Sequence, residues 1–176
     1  QCEQNVREYY KKSVLLRNDD HFEIQFKEIF DHMAALYGLD DMQKDQLMQW
    51  EIEGELEAVI PLVPQISLLK KYIAEGNDIV LISDMYLPKE VIVKLLQKAD
   101  PLLATLPLYV SSEVGHQKTT RKLFLHVYSD LDYCYEKWIH IGDNRFADQV
   151  QPEMLGIQTA PIPVPEWTPY EKRLAD

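Results

Sequence analysis

The chain has 176 residues, 46% hydrophobic and 27% charged, which suits one globular domain or a core carrying a smaller insert. Its net charge of −11, with no basic stripe of interleaved aromatics, argues against non-specific nucleic-acid binding. No run approaches the ~18 apolar residues that cross a bilayer, and the polar opening "QCEQNVREYY" lacks the apolar region of a signal peptide. Cys2 and Cys134 have no metal-ligand spacing and read as reduced thiols of a cytoplasmic protein.

The first sixty residues are predicted helical. "HFEIQFKEIFDHMAALYG" places Phe22, Phe26, Ile29, Phe30, Met33 and Leu36 mostly at spacings of three and four, then stops on Gly38. "DDMQKDQLMQWEIEGELEAV" is a second helical stretch, with Leu47, Trp50 and Leu56 on its apolar side. Its aromatics and methionines are expected to be helix-packing core, and its acids a solvated face. Pro61 and Pro64 punctuate the chain. From there the texture alternates. A helix through Leu68, Leu69 and Ile73 ends at Gly76, and "DIVLIS" is a strand. "LPKEVIVKLLQKAD" is a helix with Pro88 in its first turn. "PLYVS" is a strand, "KTTRKLFLHVYSD" a helix, "KWIHIG" a strand, "RFADQVQPEML" a helix and "IQTA" a last strand. "PIPVPEWTP" reads as an extended surface segment.

Continuous apolar strands between amphipathic helices imply a parallel sheet covered on both faces, hence an α/β fold. The expected organisation is a helical cap region over residues 1–62 and an α/β core over residues 63–176. Ligands of such sheets bind beyond the carboxyl ends of the strands, where Ser83, Asp84, Ser111, Ser112, Gly142 and Asp143 fall.

Four side chains at those ends form a chemical set: the hydroxyl of Ser83, the ammonium of Lys118, and the carboxylates of Asp143 and Asp148. Hard carboxylate oxygens suit Mg2+, which takes few protein ligands and completes its shell with water and phosphate. A lysine and a serine hydroxyl complement phosphoryl oxygens, and the backbone amides of Asp84 and Met85 add donors for a substrate. Singly, each has an ordinary explanation: a turn serine, a surface lysine, a helix cap at Asp143-Asn144, a first-turn acid at Asp148. Their order and shared placement favour a site.

"DIVLISDMYLP", Lys118 and "IHIGDNRFAD" resemble motifs II, III and IV of the haloacid dehalogenase (HAD) superfamily of phosphohydrolases, across roughly residues 76 to 160. Gly142-Asp143-x4-Asp148 is the most specific part. The resemblance implies a Rossmann-like core with a helical cap and Mg2+-dependent phosphomonoester hydrolysis through an aspartyl-phosphate. It gives Ser83 the task of holding the phosphoryl group, Lys118 that of stabilising nucleophile and phosphate, and Asp143 with Asp148 the metal. The implied partner is a small phosphorylated substrate, with neither nucleic acid nor membrane. "SDMYLP" and "LYVSSEVG" further resemble a bacterial branch encoded with polysaccharide-building glycosyltransferases, a fusion or working partner.

The family's first motif, an Asp-x-Asp whose leading Asp is the nucleophile, has no counterpart in place. The chain's one Asp-x-Asp, Asp130-Leu131-Asp132, follows Lys118 and reads as a loop. The expectation is that the nucleophile and the family-first strand lie upstream of Gln1, with this chain a fragment. The alternative is a non-catalytic HAD-like module that binds a phosphorylated ligand or a partner protein. A two-component receiver domain would place its acids before the hydroxyl and its lysine last, the reverse of this order. Neither G-x-x-x-x-G-K-[ST] nor G-x-G-x-x-G is present.

Overall fold

The structure, a computed structural model, describes residues 23–131 and 134–162. Cys2, Phe22, Asp132 and most of "PIPVPEWTP" lie outside the described residues. Two compact units meet in sequence at Gln117 and Lys118.

In the first unit, α1 (Phe26–Tyr37) forms because Phe26, Ile29 and Phe30 recur at helical spacing and are buried together. Gln25 and Glu28 close a capping box at its start. Gly38, at φ 67°, ends it in a left-handed turn whose N–H bonds to Ala34 O. Next, α2 (Asp41–Ala58) is capped by Asp40, whose carboxylate accepts from Gln43 N at 2.8 Å while the Gln43 side chain accepts from Asp40 N. After α3 (Val63–Ala74) come β1 (Leu81–Ser83), α4 (Lys89–Ala99), β2 (Leu108–Val110) and the short α5 (Ser111–Val114). β1 and β2 pair in parallel, Leu81 opposite Leu108 and Ser83 opposite Val110. One core joins α1 to this pair: Ile24, Phe26, Ile29 and Phe30 pack with Leu87, Val91, Ile92, Leu108 and Val110. The Phe26 amide fixes the approach by donating to Tyr86 O at 3.0 Å.

The second unit is smaller. A 3-10 turn at Lys118–Thr120 leads through Arg121, at φ 66°, into α6 (Lys122–Leu131). β3 (Ile139–Gly142) pairs in parallel with β4 (Gln158–Pro161), Ile139 opposite Gln158 and Gly142 opposite Pro161. A π-helical turn at Arg145–Val150 and the single turn α7 (Gln151–Glu153) make the crossover. Leu123, Phe124 and Val127 of α6 are fully buried. The Phe124 ring meets His140 edge-on at 4.9 Å and Trp138 at 6.1 Å.

The chain is thus α/β with parallel strand pairs, and among the described residues no helix is long and apolar enough to cross a membrane. Several expectations change. The strands described form two separate pairs, β1–β2 and β3–β4, where one continuous sheet was expected. "DIVLIS" contributes only Leu81–Ser83 to pairing. Leu81 N reaches Pro107 O, but Pro107 has no N–H with which to carry the ladder back toward Ile79. Pro88 stands at the N-cap of α4 and not within its first turn. "RFADQVQPEML" is a π turn plus one α turn, not one regular helix. Asp130 and Leu131 close α6 and do not form a loop.

The largest correction concerns α2, where no residue is fully buried and Trp50 is 59% exposed. The reason is angular. At 100° per residue Leu56 lies opposite Leu47, so the apolar side chains of α2 are spread around the helix. Only Leu47, Met48 and Ile52 pack partly against the core.

Leu87 is 0% exposed and sits where α1, α4 and β2 share the core. Leu87→Ala is expected to destabilise the protein by about 2–5 kcal/mol, seen as a lower urea midpoint with unchanged slope.

Candidate functional site

The expected site residues divide between the two units. Ser83, Asp84 and Met85 leave the carboxyl end of β1 in the first unit, and all three are half-buried. The loop they begin is clasped by the two serines that follow β2. Ser111, fully buried, accepts from Met85 N at 2.9 Å, and Ser112 Oγ donates to Leu87 O at 2.9 Å. Ser111 and Ser112 therefore hold the loop's shape. The Met85 amide, read from sequence as a substrate donor, already has an oxygen in front of it.

Lys118, Asp143 and Asp148 belong to the second unit, where two of the three meet. Lys118 Nζ lies 2.5 Å from Asp148 Oδ1, with the two side chains 12% and 3% exposed. His140 Nε2 is 3.0 Å from the same oxygen. An ionised carboxylate can only accept, so the imidazole carries its proton on Nε2 and donates it to Asp148. On the other oxygen, Asp148 Oδ2 accepts from the backbone N–H of Asn144 at 3.0 Å. Asp143, one residue beyond β3, has its side chain in solvent.

Local sequence explains each placement. Alternation along β3 puts His140 and Gly142 on one face, and that face turns inward toward Asp148. A Cβ at Gly142 would lie 2.4 Å from Asp148 Cγ, so glycine is required for the carboxylate to reach its buried position. The turn that carries Asp148 is started by Asn144, whose side-chain oxygen accepts from Phe146 N and Ala147 N. It closes with Gln151 N bonding to Phe146 O, a π-type step of a kind that often aims side chains at functional sites. Lys118 opens a tight turn completed by Arg121 N to Lys118 O at 2.8 Å, and Arg121 accepts a left-handed backbone that costs a non-glycine residue roughly 1–2 kcal/mol.

The electrostatics follow. Burial alone would raise the Asp148 pKa. Hydrogen bonds from His140 and Lys118, the Lys118 charge and the Asn144 amide outweigh it and hold the group well below its ordinary 3.8. The result is a buried, ionised carboxylate whose charge is matched by one ammonium. Such a pair fixes Lys118 beside β3.

Sequence reasoning named Lys118 and Asp148, and a helix cap at Asp143-Asn144, but not His140. His140 could have been found from the strand alternation that pairs it with Gly142. The cap belongs to Asn144, while Asp143 remains exposed.

A depressed carboxylate pKa stabilises the fold at pH above its unfolded value and loses that contribution as pH falls through the folded one. Stability is therefore expected to drop below about pH 3.8. Asp148→Asn should lose about 3–5 kcal/mol at neutral pH, because Lys118 keeps a buried charge without its partner, and its urea midpoint should be flatter across the acid range. Gly142→Ala should cost at least about 1–3 kcal/mol by forcing Asp148 away, and should also weaken the acid dependence by breaking the same contacts. Urea titrations of the three proteins from neutral pH into acid check both outcomes.

No protein-family model and no curated protein matches this chain, so its function is inferred from these side chains.

Proposed function

We propose that this chain belongs to a HAD-like, Mg2+-dependent phosphomonoesterase that works through an aspartyl-phosphate. The observation that carries the reading is the Lys118 ammonium, pinned by a buried, ionised Asp148 at the carboxyl end of a parallel strand. A catalyst of phosphoryl transfer needs a fixed positive charge where oxygen charge builds, and a preorganised lysine supplies it without rearrangement in the transition state. In this reading Lys118 offsets charge on the transferring phosphoryl group, Ser83 orients it as the resemblance implies, and a nucleophilic aspartate comes from a segment ahead of Gln1. Residues 1–62 would act as the helical cap.

Asp143 and Asp148 carry oxygens of the kind Mg2+ takes, although among the described residues no group of three or more His, Cys, Asp or Glu is placed to hold a metal ion. Asp143 is exposed, and a carboxylate has about four acceptor positions. Asp148 uses two on Oδ1, for Lys118 and His140, and one on Oδ2, for Asn144. One position on Oδ2 remains for a cation. Asp143 and Asp148 would hold the ion, which polarises the phosphoryl oxygens and takes the rest of its shell from water and substrate. The substrate is a small phosphorylated molecule, and a cytoplasmic setting beside a glycosyltransferase fits the finer resemblance of "SDMYLP".

A second reading, a module that binds a phosphorylated ligand without turnover, draws support from the Asp148 contact itself, which already occupies part of the lysine's hydrogen-bonding capacity.

The test joins this sequence to its natural upstream segment and measures hydrolysis of p-nitrophenyl phosphate with Mg2+. If that segment carries an Asp-x-Asp, turnover is expected to require the metal. Lys118→Gln, which keeps a donor toward Asp148 but no charge, should lose on the order of 10²–10³ in kcat, with kcat compared on the fraction that a urea titration shows to be folded, since Asp148 loses its charge partner. Asp143→Asn should raise the Mg2+ requirement. Turnover that survives both substitutions would place the active site elsewhere. An extended protein lacking Asp-x-Asp that binds phosphate but never releases it from an ester would establish the binding module.

A further inference from the structure

A separate feature of the first unit has no part in that chemistry. Between α1 and α2 runs an open groove of about 410 Å3 with Phe30 of α1 on one side. Its other side is a single stripe of α2, namely Leu47, Trp50, Glu51, Gly54, Glu55 and Ala58. These positions follow the spacing by which one helix meets another, and they extend over three turns, roughly 16 Å. Trp50 stands on one rim, 59% exposed, and Glu51 and Glu55 lie toward the other. Tyr86 O–H donates to Glu51 Oε1 at 3.0 Å and so holds that carboxylate at the groove.

Gly54 gives this stripe its meaning. Glycine within a helix is unfavourable relative to alanine, yet a side chain at Gly54 would meet nothing within 4 Å in this molecule, and its backbone is not left-handed. No internal contact accounts for it. With Ala58 one turn on, it leaves the floor of the groove bare, which allows another backbone to approach closely.

From this juxtaposition we infer that the α1–α2 groove docks a basic amphipathic helix of a partner protein. The partner's apolar ridge lies over Gly54 and Ala58 and against Trp50 and Phe30, while lysines or arginines on its flank face Glu51 and Glu55. Charge complementarity selects the occupant. The groove is apolar with carboxylates along one side, and the chain as a whole carries a net charge of −11. An exposed tryptophan beside such a groove is the kind of residue that dominates binding energy once a partner covers it.

The test uses the full chain and a fluorescein-labelled synthetic helix of about five turns, ~18 residues of leucine, alanine and lysine, with an apolar ridge and a lysine flank. Anisotropy is expected to show saturable binding. The same composition scrambled to break the period should not bind, and neither should the peptide with glutamate in place of lysine. Gly54→Leu, which improves helix propensity and so keeps the fold, should weaken binding about tenfold or more, as should Glu51→Gln with Glu55→Gln. Equal binding of the scrambled peptide, or indifference to Gly54→Leu, overturns the inference. A chain that sediments as a dimer and becomes monomeric in Gly54→Leu also overturns it, because the occupant is then a second copy.

Discussion

The second unit is organised by the need to keep one ionised carboxylate out of water. Asp148 is 3% exposed, and a buried charge of that kind persists only with an opposite charge and enough donors. Each local element contributes to that requirement. The 3-10 turn before α6 supplies Lys118, β3 supplies His140 and the missing side chain at Gly142, and the turn after β3 supplies the Asn144 amide. Asn144 serves twice, since the side chain that starts the turn belongs to the residue whose amide binds Asp148. Removing any one of these groups leaves the others facing a charge they were placed to share.

The first unit meets a milder form of the same constraint by other means. Its loop after β1 carries backbone groups that must be paired once Leu87 is buried in the core. The neutral hydroxyls of Ser111 and Ser112 provide that pairing. Neutral clasps suit a loop whose task is shape, whereas a buried ion pair suits a site where charge must stand ready. The contrast is why Lys118 and Asp148, and not the serines after β2, carry the functional reading.

Much of this was legible in the sequence, for identifiable reasons. Phe26, Ile29 and Phe30 with Gly38 specify α1 and its end, since both helical spacing and a left-handed stop are local properties. The parallel character of the pairs follows from apolar strands separated by helices. Other features depend on neighbours that spacing does not reveal. β1 is short because Pro107 precedes Leu108, the residue opposite its start, and the turn at Arg145–Val150 is π-helical through one bond, from Gln151 N to Phe146 O. Trp50 is exposed because α2 has its apolar side chains on more than one face, which apolar content alone does not reveal. Lys118 and Asp148 could be named from order alone, but their mutual contact could not. It depends on Gly142 allowing a carboxylate where any side chain would exclude it.

In the proposed enzyme that contact would also constrain the charge available for phosphoryl chemistry. Lys118 and Asp148 together are neutral, and Asp143 leaves the cluster with one net negative charge, which by itself would repel a phosphate dianion. A divalent cation held by Asp143 and Asp148 would turn the balance to one net positive charge. The ammonium of Lys118 can then share its donors between Asp148 and a phosphoryl oxygen without leaving either carboxylate uncompensated. In the proposed enzyme the metal is therefore needed for the phosphate to enter as well as for its transfer. Phosphate affinity and Mg2+ affinity should rise together, because each ligand removes the repulsion that opposes the other.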